Sequence, residues 1–193
     1  MTTDTLGAPP CAPPDFNPRK PKITLPPLSC DTHAHILGPI ARYAYSPARV
    51  YTPPDCLLDE YRKMLTLLGV ERAVLVQPSV YGTDNTVTVD AIKELGIANA
   101  RGVGVLRPDV SDADLKKLDE GGIRGIRFTV GDPKTAVVSI DMIEPLAKRI
   151  ASHGWHIQLN MPYDKIVEHA AMLRRLPTPV VFDHLGKPPE EEG

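Results

Sequence analysis

Aromatic residues are scarce in this chain, at 5% of 193 positions, and cysteine is scarcer still, limited to Cys11, Cys30 and Cys56. An odd number without metal-knuckle spacing argues against a disulfide framework or a zinc ribbon and suits reduced thiols in a cytoplasmic protein. An excess of one charge is missing too: 22 Lys and Arg stand against 24 Asp and Glu, a formal net charge of -2. Neither nucleic acid nor a membrane surface is therefore an expected partner. No stretch approaches the ~20 apolar residues of a membrane span, and Met1 to Ser29 lacks the apolar run and cleavage pattern of a signal peptide. A glycine-rich phosphate loop is also lacking after the first plausible strand, which argues against an open doubly wound nucleotide-binding sheet.

What is present is the composition of one globular domain, 42% hydrophobic and 24% charged. At this length roughly 70% of the unfolded surface is expected to be buried. Pro9, Pro10, Pro13, Pro14, Pro18, Pro21, Pro26 and Pro27 crowd the first 29 residues. Their fixed φ and missing donors predict an extended arm over residues 1–29, which either clasps a neighbouring subunit of a homo-oligomer or stays loosely ordered.

From Cys30 onward, strand-like and helix-like segments alternate, as in a parallel sheet of βα units. Strands are expected at Ser29 to His35, Arg72 to Gln77, Gly102 to Arg107, Gly122 to Thr129, Trp155 to Met161 and Pro179 to His184. Helices are expected at Asp55 to Leu68, Asn85 to Ile97, Ser111 to Glu120, Ile140 to Ser152 and Asp164 to Leu176, with Gly69 as the first helix stop. Polar residues gather at strand C-terminal ends: His33 and His35, Gln77 and Ser79, Arg127, Asn160, His184. That placement is the habit of a (β/α)8 TIM-type barrel, whose active site lies at this end. Such a barrel takes about 250 residues. The expectation is therefore a domain over 30–193 truncated after about six βα units, with its first and sixth strands left as edges.

The strongest local signal is Asp31-Thr32-His33-Ala34-His35. A strand's period of two aims both imidazoles at one side, where they can bind a divalent metal or donate hydrogen bonds to a carbonyl oxygen. Asp31 shares that parity and is expected to orient an imidazole. His184 ends a further strand and is expected as a third member of the site, with Asp183 turned toward the helices or capping the next turn. Arg127 could grip a carboxylate with its fork of donors. The Gly82-Thr83-Asp84-Asn85 segment reads as a helix cap rather than a site element.

A strand-ending Asp-x-His-x-His with a later strand-ending His resembles the amidohydrolase superfamily. Tyr45-Ser46-Pro47, Tyr51-Thr52-Pro53, Val76-Gln77-Pro78-Ser79, Gly82-Thr83-Asp84-Asn85, Gly121 to Phe128, Gly154-Trp155-His156 and Phe182-Asp183-His184-Leu185-Gly186 resemble its branch of 2-pyrone-4,6-dicarboxylate hydrolases and sugar-lactone hydrolases. The resemblance implies a distorted barrel that opens a carboxylated lactone. His33, His35 and His184 would polarise the carbonyl, and Tyr51, Ser79, Arg127 and Asn160 would contact substrate. It also implies an eighth-strand aspartate that activates water, which has no counterpart here. The fifth strand offers no lysine or histidine at its C-terminal end to bridge two ions. His156 sits at that strand's start, and His153 and His169 fall in helical segments. What remains open is no metal, or a single Zn²⁺ on His33, His35 and His184. After Arg127 the chain departs from the dicarboxylate pattern with Thr129-Val130-Gly131-Asp132-Pro133, and Tyr81 and Asn160 differ as well, which points to a monocarboxylate or sugar-acid lactone. The alternatives are a metal-dependent decarboxylase of the same superfamily and an inactive truncated product, or a partial barrel completed by another chain.

Overall fold

A computed structural model describes residues 8–130 and 136–189. Gly131, Asp132 and Pro133 of the departure noted above, and the acidic run Glu190 to Glu192, read from the sequence as a solvated tail, lie outside the described residues. The order of elements is β1 (Cys30–Ala34), α1 (Leu58–Leu68), β2 (Arg72–Val76), α2 (Thr86–Leu95), β3 (Ala100–Gly104), α3 (Asp112–Glu120), β4 (Ile123–Thr129), α4 (Ile143–Ile150), β5 (His156–Asn160), α5 (Tyr163–Glu168), α6 (Ala170–Leu173) and β6 (Val180–Phe182). The strands hydrogen-bond in the order β1-β2-β3-β4-β5-β6. The β1–β2, β4–β5 and β5–β6 ladders are parallel, as βα units require. Among the described residues no helix is long and apolar enough to cross a membrane.

The chain divides into two compact units, Met1–Gly102 and Val103–Gly193. In the first, α1 buries Tyr61 and Leu65 and ends where Gly69 adopts φ 73°, a left-handed stop that its missing Cβ makes cheap. Asn85 stands at the N-cap of α2 without a side-chain cap hydrogen bond, and Asp84 just before it accepts from the Thr86 backbone N–H at 3.0 Å, so the segment satisfies a first-turn donor as expected. Gln77 is fully buried between two partners, donating to the Asp84 carbonyl and accepting from the Thr88 hydroxyl. The described part of the proline-rich arm lies against its own unit: Thr52 donates to the Pro9 carbonyl at 2.8 Å and accepts from the Cys11 N–H at 2.9 Å. β3 starts and ends earlier than the hydrophobic pattern suggests. Val105 and Leu106 stay buried after leaving the ladder, so burial and strand pairing part company there.

In the second unit, Ile126, Phe128, Ile157 and Leu159 are wholly buried on one face of β4 and β5, and α4 closes over Ile143, Leu146, Ala147 and Ile150. Trp155 is fully buried with its indole N–H on Asp119 at 2.8 Å. The single helix expected over Asp164 to Leu176 is two short ones, α5 and α6, because His169 takes φ -100°, ψ 10° and interrupts the helical geometry. Behind β4, the His156 ring fills the space over Gly125, where a Cβ would fall 2.5 Å from ring carbon Cε1. Burial holds the His156 imidazole below its ordinary pKa of 6.5, partly offset by its hydrogen bond to Gln158.

Two expectations follow from this packing. Gly125→Ala forces the ring out of its place and is expected to cost about 1–3 kcal/mol, read as a lower midpoint in urea unfolding. The depressed His156 value makes the unfolded chain the better proton acceptor. Its contribution to stability is complete above pH 6.5 and lost as pH falls from there through the folded-state value. Urea titrations from pH 8 to pH 5 should therefore show a steeper decline for the native chain than for His156→Gln, by at most about 1.4 kcal/mol per pH unit.

Candidate active site

Polar residues at the C-terminal ends of the strands fall into one group in each unit. In the first, β1 delivers His33 and His35 to the same side, with ring centroids 5.1 Å apart and planes nearly perpendicular. The convergence read from the period of two holds, even though the β1–β2 register shifts between Asp31 and Ala34. His35 Nδ1 lies 2.6 Å from the Val76 carbonyl oxygen at the end of β2. A carbonyl only accepts, so Nδ1 carries the proton, and a neutral ring held this way keeps its lone pair on Nε2. Such a ring can ligate an ion or accept a proton from water. To donate a hydrogen bond from Nε2 to a lactone carbonyl it must first become an imidazolium.

Asp31 does different work from that expected. One oxygen accepts from the His33 backbone N–H at 3.1 Å and the other from the Tyr61 hydroxyl at 3.0 Å, so the carboxylate ties β1 to α1. Burial, with the nearby carboxylate, pushes the Tyr61 phenol well above its usual value and keeps it protonated as the donor. Tyr51 and Ser79 sit half-buried in the segments following β1 and β2, Ser79 opening a 3₁₀ turn over Ser79–Tyr81. In that turn Tyr81 is buried and its hydroxyl accepts from the Gly38 N–H at 2.7 Å, while its ring tilts against Tyr45 at 5.2 Å.

In the second unit the register pairs Arg127 with Gln158 and Thr129 with Asn160 across β4 and β5. Arg127 and Gln158 point to one face and meet a third side chain there, Asp183, just past the end of β6. Arg127 Nε donates to Asp183 Oδ2 at 2.9 Å and Gln158 Nε2 to Oδ1 at 2.7 Å. The ion pair is almost wholly buried, with side-chain exposures of 6% and 3%. Asp183 thus faces the Arg127 side, contrary to its expected place toward the helices or in a cap. Strand alternation allows either phase, and two buried donors settle it. Removing one member of such a pair leaves an uncompensated charge and costs about 3–5 kcal/mol.

His184 follows at φ 52° and is exposed. Strand alternation no longer governs its direction, because β6 ends at Phe182. Asn160 ends β5 with its side-chain oxygen buried and without a hydrogen-bond partner among the described residues. An acceptor left in that state marks where a ligand donor would be welcome. The Asp183–Arg127–Gln158 network is what sequence reasoning missed. Its only signal was a glutamine at the centre of an apolar strand.

The amidohydrolase family model matches residues 30–193. The chain is 36% identical over 177 residues to a 2-pyrone-4,6-dicarboxylate hydrolase of Comamonas testosteroni, covering 92% of this chain and 58% of that protein. It is 33% identical over 184 residues to a 4-sulfomuconolactone hydrolase of Hydrogenophaga intermedia, covering 93% and 59%. It therefore spans just under three fifths of these relatives' length. Among solved structures, an Agrobacterium tumefaciens protein superposes with a TM-score of 0.80 at 23% identity, over 90% of this chain and 60% of that one. An amidohydrolase of Burkholderia multivorans with bound zinc superposes at 0.58 and 19% identity, over 83% and 59%. Both likenesses are of fold. The strand order, the paired strand-end histidines and the match from Cys30 onward lead to one conclusion: the chain belongs to the amidohydrolase family, with six strands of its barrel-type fold.

Proposed function

We propose that the protein to which this chain belongs hydrolyses a carboxylated lactone, with His33, His35 and His184 acting together at the ester carbonyl. The observation that carries this reading is the His33–His35 pair, with His35 fixed in one tautomer by the Val76 carbonyl. In that tautomer His35 Nε2 accepts a proton from, or orients, the water that attacks the carbonyl carbon; His33 and His184 stand at the carbonyl oxygen. Tyr51, Ser79, Arg127 and Asn160 bind the rest of the substrate. The Asn160 side-chain oxygen accepts from a substrate hydroxyl, a role that suits its unpartnered state. Arg127 meets the carboxylate with the guanidinium that Asp183 orients through Nε.

By donor chemistry alone, the proposed set of imidazoles also suits a divalent ion. Three imidazoles, one with its lone pair on Nε2, are the ligand chemistry of zinc. His33, His35 and His184 would hold it, and when bound it would supply Lewis-acid polarisation of the carbonyl. The three free cysteines suit the reducing cytoplasm in which we place the protein.

The test is a lactone panel offered to a chimera joining this chain to the part of the Comamonas hydrolase beyond the matched segment. Turnover of a carboxylated lactone is expected, reduced about 10²- to 10⁴-fold in His35→Ala and unchanged within twofold in His153→Ala, whose ring packs against Trp155. Full turnover in the His35→Ala chimera would overturn the reading.

A further inference from the structure

The backbone beyond β6 is unusual. His184, Leu185, Gly186 and Lys187 all have positive φ, at 52°, 57°, 75° and 50°. Only the glycine adopts this region without steric cost, and runs of L-residues in it are disfavoured. Its closing hydrogen bond, from the Lys187 N–H to the His184 carbonyl at 3.0 Å, is local, and Leu185 is 94% exposed and contributes no packing. A conformation of this kind persists only where its surroundings over-determine it.

The anchor is at its first residue. Asp183 is 5% exposed and receives one donor from β4, Arg127, and one from β5, Gln158. Those strands are locked together in parallel register, and β5 pairs in turn with β6 through Gln158 opposite Val181. Three strands thus fix the carboxylate, and the carboxylate fixes the point from which the chain turns left-handed. A carboxylate oxygen of Asp183 lies within 4.8 Å of a ring nitrogen of His184.

We propose that Asp183 is the positioning residue of His184: the buried Arg127–Asp183–Gln158 network holds the left-handed turn that aims the imidazole. This rests on the reading of His184 as a residue of the lactone site, but the positioning can be measured without turnover. The probe is the 193-residue protein with ring-labelled histidine, the His184 signal being assigned by its loss in His184→Asn. In Asp183→Asn and in Gln158→Met, the His184 ring signal should move toward that of an unstructured histidine, and the Lys187 amide should exchange with solvent at least tenfold faster. The His153 signal should stay in place. If Asp183→Asn does not fold, the double variant Arg127→Met with Asp183→Leu removes both buried charges and should show the same displacement. A His184 signal and a Lys187 exchange rate left unchanged in the folded variants would overturn the proposal. In the chimera, Asp183→Asn should lower kcat at least tenfold with KM changed less than threefold. If the ring signal moves while kcat holds, the positioning stands and the part given to His184 in the reaction fails.

Discussion

A polar group buried in a sheet survives only if its hydrogen-bonding capacity is met, and this constraint organises the second unit. Arg127 of β4, Gln158 of β5 and Asp183, just past the end of β6, satisfy one another on a shared face. The opposite face of β4 and β5 is filled by Ile126, Phe128, Ile157 and Leu159. The separation lets an apolar core carry stability while the polar face is left for chemistry. The closely packed ring of His156 over Gly125 belongs to that polar face as well.

The first unit uses the same logic on a smaller scale. Asp31 ties β1 to α1, and the Val76 carbonyl at the end of β2 takes the Nδ1 proton of His35. The histidine is thereby oriented through a backbone carbonyl as well as by its ring contact with His33.

Much of this was legible in the residues because it depends on local periodicity. The pairing of His33 with His35 needs only the two-residue repeat of a strand, and the end of α1 needs only a glycine that tolerates positive φ. The βα alternation and the first-turn contact of Asp84 are local in the same sense. What escaped depends on partners distant in sequence. Asp183 could have pointed either way until Arg127, 56 residues earlier, fixed it, and the His35 tautomer is set 41 residues away. The Asp31–Tyr61 contact joins a strand to a helix across 30 residues, and no motif announces it. The boundary of β3 moved because hydrophobicity reports burial, whereas a strand is defined by its ladder.

The central claim is that buried polar groups on the shared face of β4 and β5 are held by satisfying one another, with the Arg127–Asp183 ion pair at the centre. A double-mutant cycle in urea unfolding measures this most directly. The account predicts that Arg127→Met and Asp183→Leu each cost about 3–5 kcal/mol alone, while the double variant costs far less than their sum. Losses that simply add would contradict it.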